Sequence, residues 1–293
     1  MRGRLAVLAL VALALSGAAA AAQSENPAST GAPLVHVVRR VTYGPRPGDL
    51  ERVKAMGLSV WLERQLQPEQ IDDSAVERGL AALPTLTMSI AELQRAYPRP
   101  DPETRQKLAR GDMSPREMRE QYPTDKRPAR IVGELQAARM LRAATTERQL
   151  QEVMVDFWLN HFNVFANKGE LRWYLPDWER TVIRPHALGR FPALLRASAR
   201  HPAMLFYLDN WLSTRADFMV RRGPNQGRRA GLNENYAREL MELHTLGVDG
   251  GYTQQDVVEV ARAFTGWTIG RPGEQGFRFA PAIHDRGVKK VLG

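Results

Sequence analysis

Residues 233–247, NENYARELMELHTLG, bring two asparagines, three glutamates, an arginine and a histidine into fifteen consecutive positions. Carboxylates beside an imidazole can exchange protons with a substrate, a guanidinium can hold an anion, and imidazoles with carboxylates can bind a metal ion. The stretch lacks β alternation and suits a helix. At 100° per residue, Tyr236, Leu240, Leu243 and Gly247 share a narrow arc expected to face the core. Glu234, Arg238 and Glu242 follow at intervals of four, the spacing of a surface salt ladder. Asn235, Glu239 and Glu242 fall within about 60° of one another and form an amide and carboxylate patch. Glu239 borders the apolar arc, where partial burial raises a carboxyl pKa unless a partner is present. His244 lies on the other shoulder, about 140° from Glu239, so the two cannot grip one small ion from this helix.

Two kinds of function follow. As an envelope or extracellular polymer hydrolase-like enzyme, the chain would use Glu239 or Glu242 as acid or base, with Arg238 and His244 in the same catalytic group. Asn233, Asn235, His284 and Asp285 would contact an anionic substrate. The metal candidates are His161, His244, His284 and Asp285; no cofactor is required by the sequence. As a binding or assembly protein, the chain would use the same motif as a structural network, and Glu239→Gln would then lower thermal stability. HExxH, Gly-x-Ser-x-Gly, the phosphate loop and the dinucleotide fingerprint are all absent.

The elements that must position these residues read as helices. The segment LVHVVRRVTYGPRPGDLERVKAMGLSVWLERQLQPEQI gives helix, Gly/Pro turn, helix and short helix, with Gly57 ending the second. Residues 97–130 carry six prolines among charges and read as a surface excursion with one clear helix start, Ser114-Pro115-Arg116-Glu117. Thr146 and Gln149 suit a capping box, after which Leu150, Met154, Phe157 and His161 recur as an apolar stripe that holds His161. Further helical pieces follow around 177–188, 190–199 and 202–212. The stretch STRADFMVRRGPNQGRRAG, with Arg221, Arg222, Arg228 and Arg229, reads as a mobile, solvated loop whose partner, if any, is anionic. The motif itself, a VDGG turn and TQQDVVEVARAFTGW, with a start signal at Thr253 and Asp256, form an αα-hairpin over 232–268. The expected fold is all-α: an irregular multi-helix bundle with long Pro- and Arg-rich loops.

The chain has 293 residues, 43% of them apolar, enough to bury a core, and contains no cysteine. Disulfides, thiolate nucleophiles and a lipid-modified amino-terminal Cys are therefore excluded. Residues 1–22 have the layout of a secretory signal: Arg2 and Arg4, an apolar run from Leu5 to Leu15, then small residues up to a cleavage site near Ala20 or Ala22. Residues 23–33 follow as a mobile linker and 34–293 as one helical domain. Export to the periplasm or beyond is the expectation, with no transmembrane anchor left after cleavage. The net charge of +9 falls to +7 without Arg2 and Arg4, which favours anionic envelope polysaccharide or lipid head groups as partners over nucleic acid.

NENYARELMELHTLGVDGGYTQQDVVEVARAFTGWTI resembles the signature of the bacterial family called domain of unknown function 1800. RRVTYGPRPGDLERV with WLERQLQP, FWLNHFNVF and HDRGVKKVLG resemble its other motifs, so the likeness runs from about Val35 to Gly293. The resemblance implies a large, exported, mainly helical bacterial protein without an established activity, one often encoded beside an exported sulfatase-like protein. It also implies a chain that continues past the His-Asp motif, so a carboxy-terminally truncated member is expected.

Overall fold

The computed structural model describes residues 32–121, 123–220, 226–270 and 276–293. The segments expected as signal sequence and, up to residue 31, as linker, together with Arg221 and Arg222, lie outside the described residues. The first helix, α1 (Ala32–Val41), begins two residues inside the segment expected as linker, with Pro33 in its first turn. Val37 and Val38 are its buried residues. The helices α2 (Asp49–Met56) and α3 (Leu58–Gln65) follow, separated by Gly57 at φ 88°, whose N–H bonds the carbonyl of Val53. Only glycine adopts that backbone without a steric penalty, as the sequence required. Next come α4 (Ser74–Leu80) and α5 (Ile90–Ala96).

The Pro-rich stretch is more ordered than expected. Besides α7 (Pro115–Gln121), which starts with the anticipated Ser114/Glu117 exchange of hydrogen bonds, it contains α6 (Pro102–Arg110). Asp101 caps α6 by accepting from the Thr104 N–H at 2.9 Å, and Pro102 opens its first turn. The Asp-Pro pair that starts this helix reads equally well as a turn, which is why composition hid it.

The longest helix, α8 (Ala129–Thr145), packs on α4 and on α10 (Leu171–Asp177). Between them α9 (Gln149–His161) starts later than the sequence suggests. Thr146 does not form a capping box with Gln149. Its hydroxyl donates to Asp73 and accepts from Arg148, while the Gln149 amide reaches back to the carbonyls of Ala143 and Thr146. The buried residues of α9 are Gln149, Leu150, Glu152, Val155 and Leu159; Phe157 is 52% exposed and His161 half-buried. Of the expected stripe, Leu150 is buried and Met154 packs half-buried on the main core, whereas Phe157 faces outward.

Pro176 removes a backbone donor near the end of α10, and the chain continues there as a π-helical stretch, Trp178–Ile183, then a last turn, α11 (Arg184–His186). The pieces α12 (Phe191–Arg200) and α13 (Pro202–Tyr207) close around Trp178, Phe162, Leu171, Ile183 and Leu194, the centre of the main core.

The hairpin at 232–268 is present. Its first arm is α14 (Asn235–Glu239), continued by a second π-helical stretch, Leu240–Thr245; its second arm is α15 (Gln254–Phe264). Thr253 and Asp256 form the expected capping box, and glycines 247 and 251 turn the connection at φ 88° and 77°. A two-stranded antiparallel sheet, β1 (Trp267–Ile269) with β2 (Phe277–Phe279), was not anticipated, and Met219 pairs with Arg229 in the Arg-rich loop. The fold is otherwise α-helical among the described residues, where no helix is long and apolar enough to cross a membrane.

Candidate functional site at a widened helical turn

The motif occupies α14 and the π-helical stretch after it, and the widening decides where every later side chain goes. The N–H of Leu246 bonds the carbonyl of Met241, and the hydroxyl of Thr245 reaches the carbonyl of Leu240 at 2.6 Å, both five residues back. A π turn inserts one residue into the helical repeat and delays each following side chain by one position. Tyr236 is buried as expected, and Ala237, Met241 and His244 are buried with it in place of Leu240 and Leu243. Leu243 is 57% exposed, and His244, placed on a shoulder by an ideal wheel, takes the core position intended for it.

His244 is buried against the rings of Phe162 and Tyr236, at centroid distances of 4.9 and 6.4 Å. Its Nδ1 has no hydrogen-bond partner. Burial, and secondarily His161, push its pKa down to about 4, so the ring is neutral at neutral pH. His161 lies beside it, at a centroid distance of 6.1 Å, with Nε2 placed 3.1 Å from the backbone carbonyl of His244. This contact uses His161 Nε2 as a donor and ties α9 to the widened turn.

The remaining polar groups are mostly engaged. Arg238 donates to Glu234 at 3.2 Å and to Gln254 of α15 at 2.8 Å, while Gln254 donates to Glu234 at 2.7 Å. This triangle replaces the expected ladder: Glu242, within the widened turn, forms no ion pair with Arg238 and lies by Tyr252. Asn233 accepts from the N–H of Asn235 at 3.0 Å and its own N–H donates to Ser213, so its role is to start the helix; Asn235 is exposed. His284 Nδ1 lies 2.7 Å from the carbonyl of Thr265. Asp285 is held by Arg262 at 3.0 Å and by Lys289, which keeps its carboxyl well below the usual range, at about 2. Thus His161 meets His244, whereas His284 and Asp285 belong to a different cluster around α15. Among the described residues no group of three or more His, Asp or Glu side chains could hold a metal ion.

Glu239 is the exception. It is half-buried and makes no hydrogen bond or ion pair, and its pKa is raised by burial first and by Glu242 second, against the pull of Arg238. A carboxyl whose folded pKa exceeds its unfolded value favours the fold when protonated, and that contribution is lost as pH rises through the folded pKa. Glu239→Gln is therefore expected to leave the melting temperature at pH 7 unchanged or to raise it, where the binding-protein reading of the sequence expected a fall. A clear fall in a thermal melt would contradict this placement.

Another polar constellation escaped the sequence reading. Glu179, in the first π-helical stretch, accepts from Arg139 at 3.1 Å, Arg142 at 3.3 Å and Arg184 at 3.5 Å, and Glu152 of α9 accepts from Arg184 at 3.0 Å. Both carboxylates are buried. The carbonyl of Glu152 also accepts from the Tyr43 hydroxyl, whose pKa is pushed up to about 12 by burial and by Asp156. The available signal was weak: one carboxylate in the helical stretch QLQEVMV, and two, Asp177 and Glu179, in PDWERTVI.

No curated protein and no solved structure matches the chain. Its motifs, their helical setting and a match to one family model over residues 36–293 agree, and the chain belongs to the family described as "Protein of unknown function (DUF1800)".

Proposed function

We propose that the chain is a non-catalytic binding or assembly protein of the bacterial cell envelope, in which the polar motif at 233–247 holds helices together. The observation that carries this reading is the fate of the motif's groups. Arg238 is closed into a triangle with Glu234 and Gln254, Asn233 starts a helix, and His244 is buried and neutral. Groups engaged in this way cannot also converge on a substrate. The leader-like first 22 residues support export, and the excess of 41 basic over 32 acidic side chains favours an anionic envelope polymer, or an acidic exported protein, as the partner.

One observation favours an enzyme instead. Glu239 and Glu242 are close enough to couple, and Glu239 has a raised pKa, the arrangement of an acid beside a base. A single comparison separates the two readings. Purified protein and the Glu239→Gln/Glu242→Gln variant are incubated with isolated anionic envelope polysaccharide; co-sedimentation and release of reducing ends are both measured. Equal co-sedimentation, weakened by salt and without product, is expected. Product released by the native protein and not by the variant would overturn the binding reading.

A further inference from the structure

A cleft of about 200 Å³ opens between α8, α9 and the segment after His161, and none of residues 233–247 lines it. Its polar wall consists of Gln136, Arg139, Asp156, Asn160 and Asn163. Leu159 and Val164, both buried, form an apolar floor. The polar groups here are available. Gln136, Asn163 and the carboxylate of Asp156 make no intramolecular hydrogen bond or ion pair, and Asn160 uses only its amide N–H, donating to the Asp156 carbonyl at 2.9 Å. Arg139 gives Nε to Glu179 at 3.1 Å and keeps its terminal amino groups.

We infer that this cleft binds one neutral sugar ring of a polysaccharide. Three carboxamides and a carboxylate offer planar pairs of donors and acceptors that match adjacent hydroxyls, and an apolar floor matches the C–H face of a pyranose. The volume admits a single ring. Charge selects among sugars: Asp156 and the terminal amino groups of Arg139 put one charge of each sign in the same wall, so the lining carries no net charge and suits a neutral ring over a charged one. This inference concerns a different surface from the motif at 233–247 and stands whichever way that motif is read.

The test is titration of the full chain with methyl β-glucoside, methyl β-galactoside and methyl N-acetyl-β-glucosaminide, with methyl glucuronide and glucosamine as charged probes. Binding is followed by calorimetry and by the side-chain amide resonances of the asparagines and glutamines. At least one neutral glycoside is expected to bind with Kd of the order of 1 mM, and Gln136→Ala/Asn163→Ala to weaken it about tenfold, the loss of one to two hydrogen bonds. Both side chains are exposed and unbonded, so the melting temperature of the variant should match the native one. Binding of neither neutral glycoside nor acetylated sugar, binding confined to glucuronide or to glucosamine, or binding that the double variant leaves intact would each overturn the inference.

Discussion

Glu179→Gln is expected to destabilise the fold by about 3–5 kcal/mol, the usual cost of removing one partner from a buried ion cluster. Glu179 is 3% exposed and lies among Arg139, Arg142 and Arg184. Burial and the neighbouring Arg184 already push the pKa of Arg142 down, against the opposing pull of Glu179. Removing the carboxylate leaves Arg142 without its anion, and Arg184 with Glu152 alone. Against a total stability of about 5–15 kcal/mol this loss is large. Urea unfolding should show it as a lower midpoint at unchanged slope. Arg116→Ala, which breaks the exposed Arg116/Glu120 pair, should cost less than about 0.5 kcal/mol in the same assay. Similar losses for both variants would mean that the Glu179 cluster contributes no more than a surface pair.

The second large effect depends on pH. The pKa of His244 is about 4 in the folded chain against 6.5 for an unperturbed imidazole, because burial and His161 penalise the charged ring. The unfolded chain therefore takes up the proton first. The contribution of His244 to stability is fully present above pH 6.5 and declines as pH falls towards 4, where about 3 kcal/mol has gone. His244→Leu removes this titration and restores the apolar residue that the helical pattern calls for at that core position. The native protein and the variant should differ by a stability gap that changes by about 3 kcal/mol between pH 7 and pH 4, measured by denaturant titration at each pH. Other acid-sensitive groups, including the buried His201 and its partner Asp177, titrate in both proteins and cancel in the difference. A gap independent of pH would show that the His244 ring can be solvated in the folded state.

Several elements were legible because their signals are local. Gly57 ended α2, Ser114 started α7, Thr253 with Asp256 started α15, and the hairpin after residue 232 stands where the turn residues placed it. The candidate site was legible only in part, since its register depends on a backbone event without a residue signature. Up to Glu239 the ideal wheel holds; past it, the widened turn exchanges Leu243 for His244 and separates Glu242 from Arg238. Glu152 and Glu179 were invisible for a related reason. Neither is set apart from the polar residues beside it in sequence, and its cations arrive from other elements: α8 supplies Arg139 and Arg142, and α11 supplies Arg184. The short sheet was hidden because three-residue strands are too brief to show alternation.

Both π-helical stretches hold a polar residue in the core, Glu179 in one and His244 in the other. In evolutionary terms such a turn is a one-residue insertion within a helix, gained or lost in a single step. The widened turn absorbs the extra residue, and the side chains after it keep their places in the core. A relative one residue shorter between Leu240 and Leu243 would therefore still present the imidazole of His244 to the core, from a regular helix in place of the widened one.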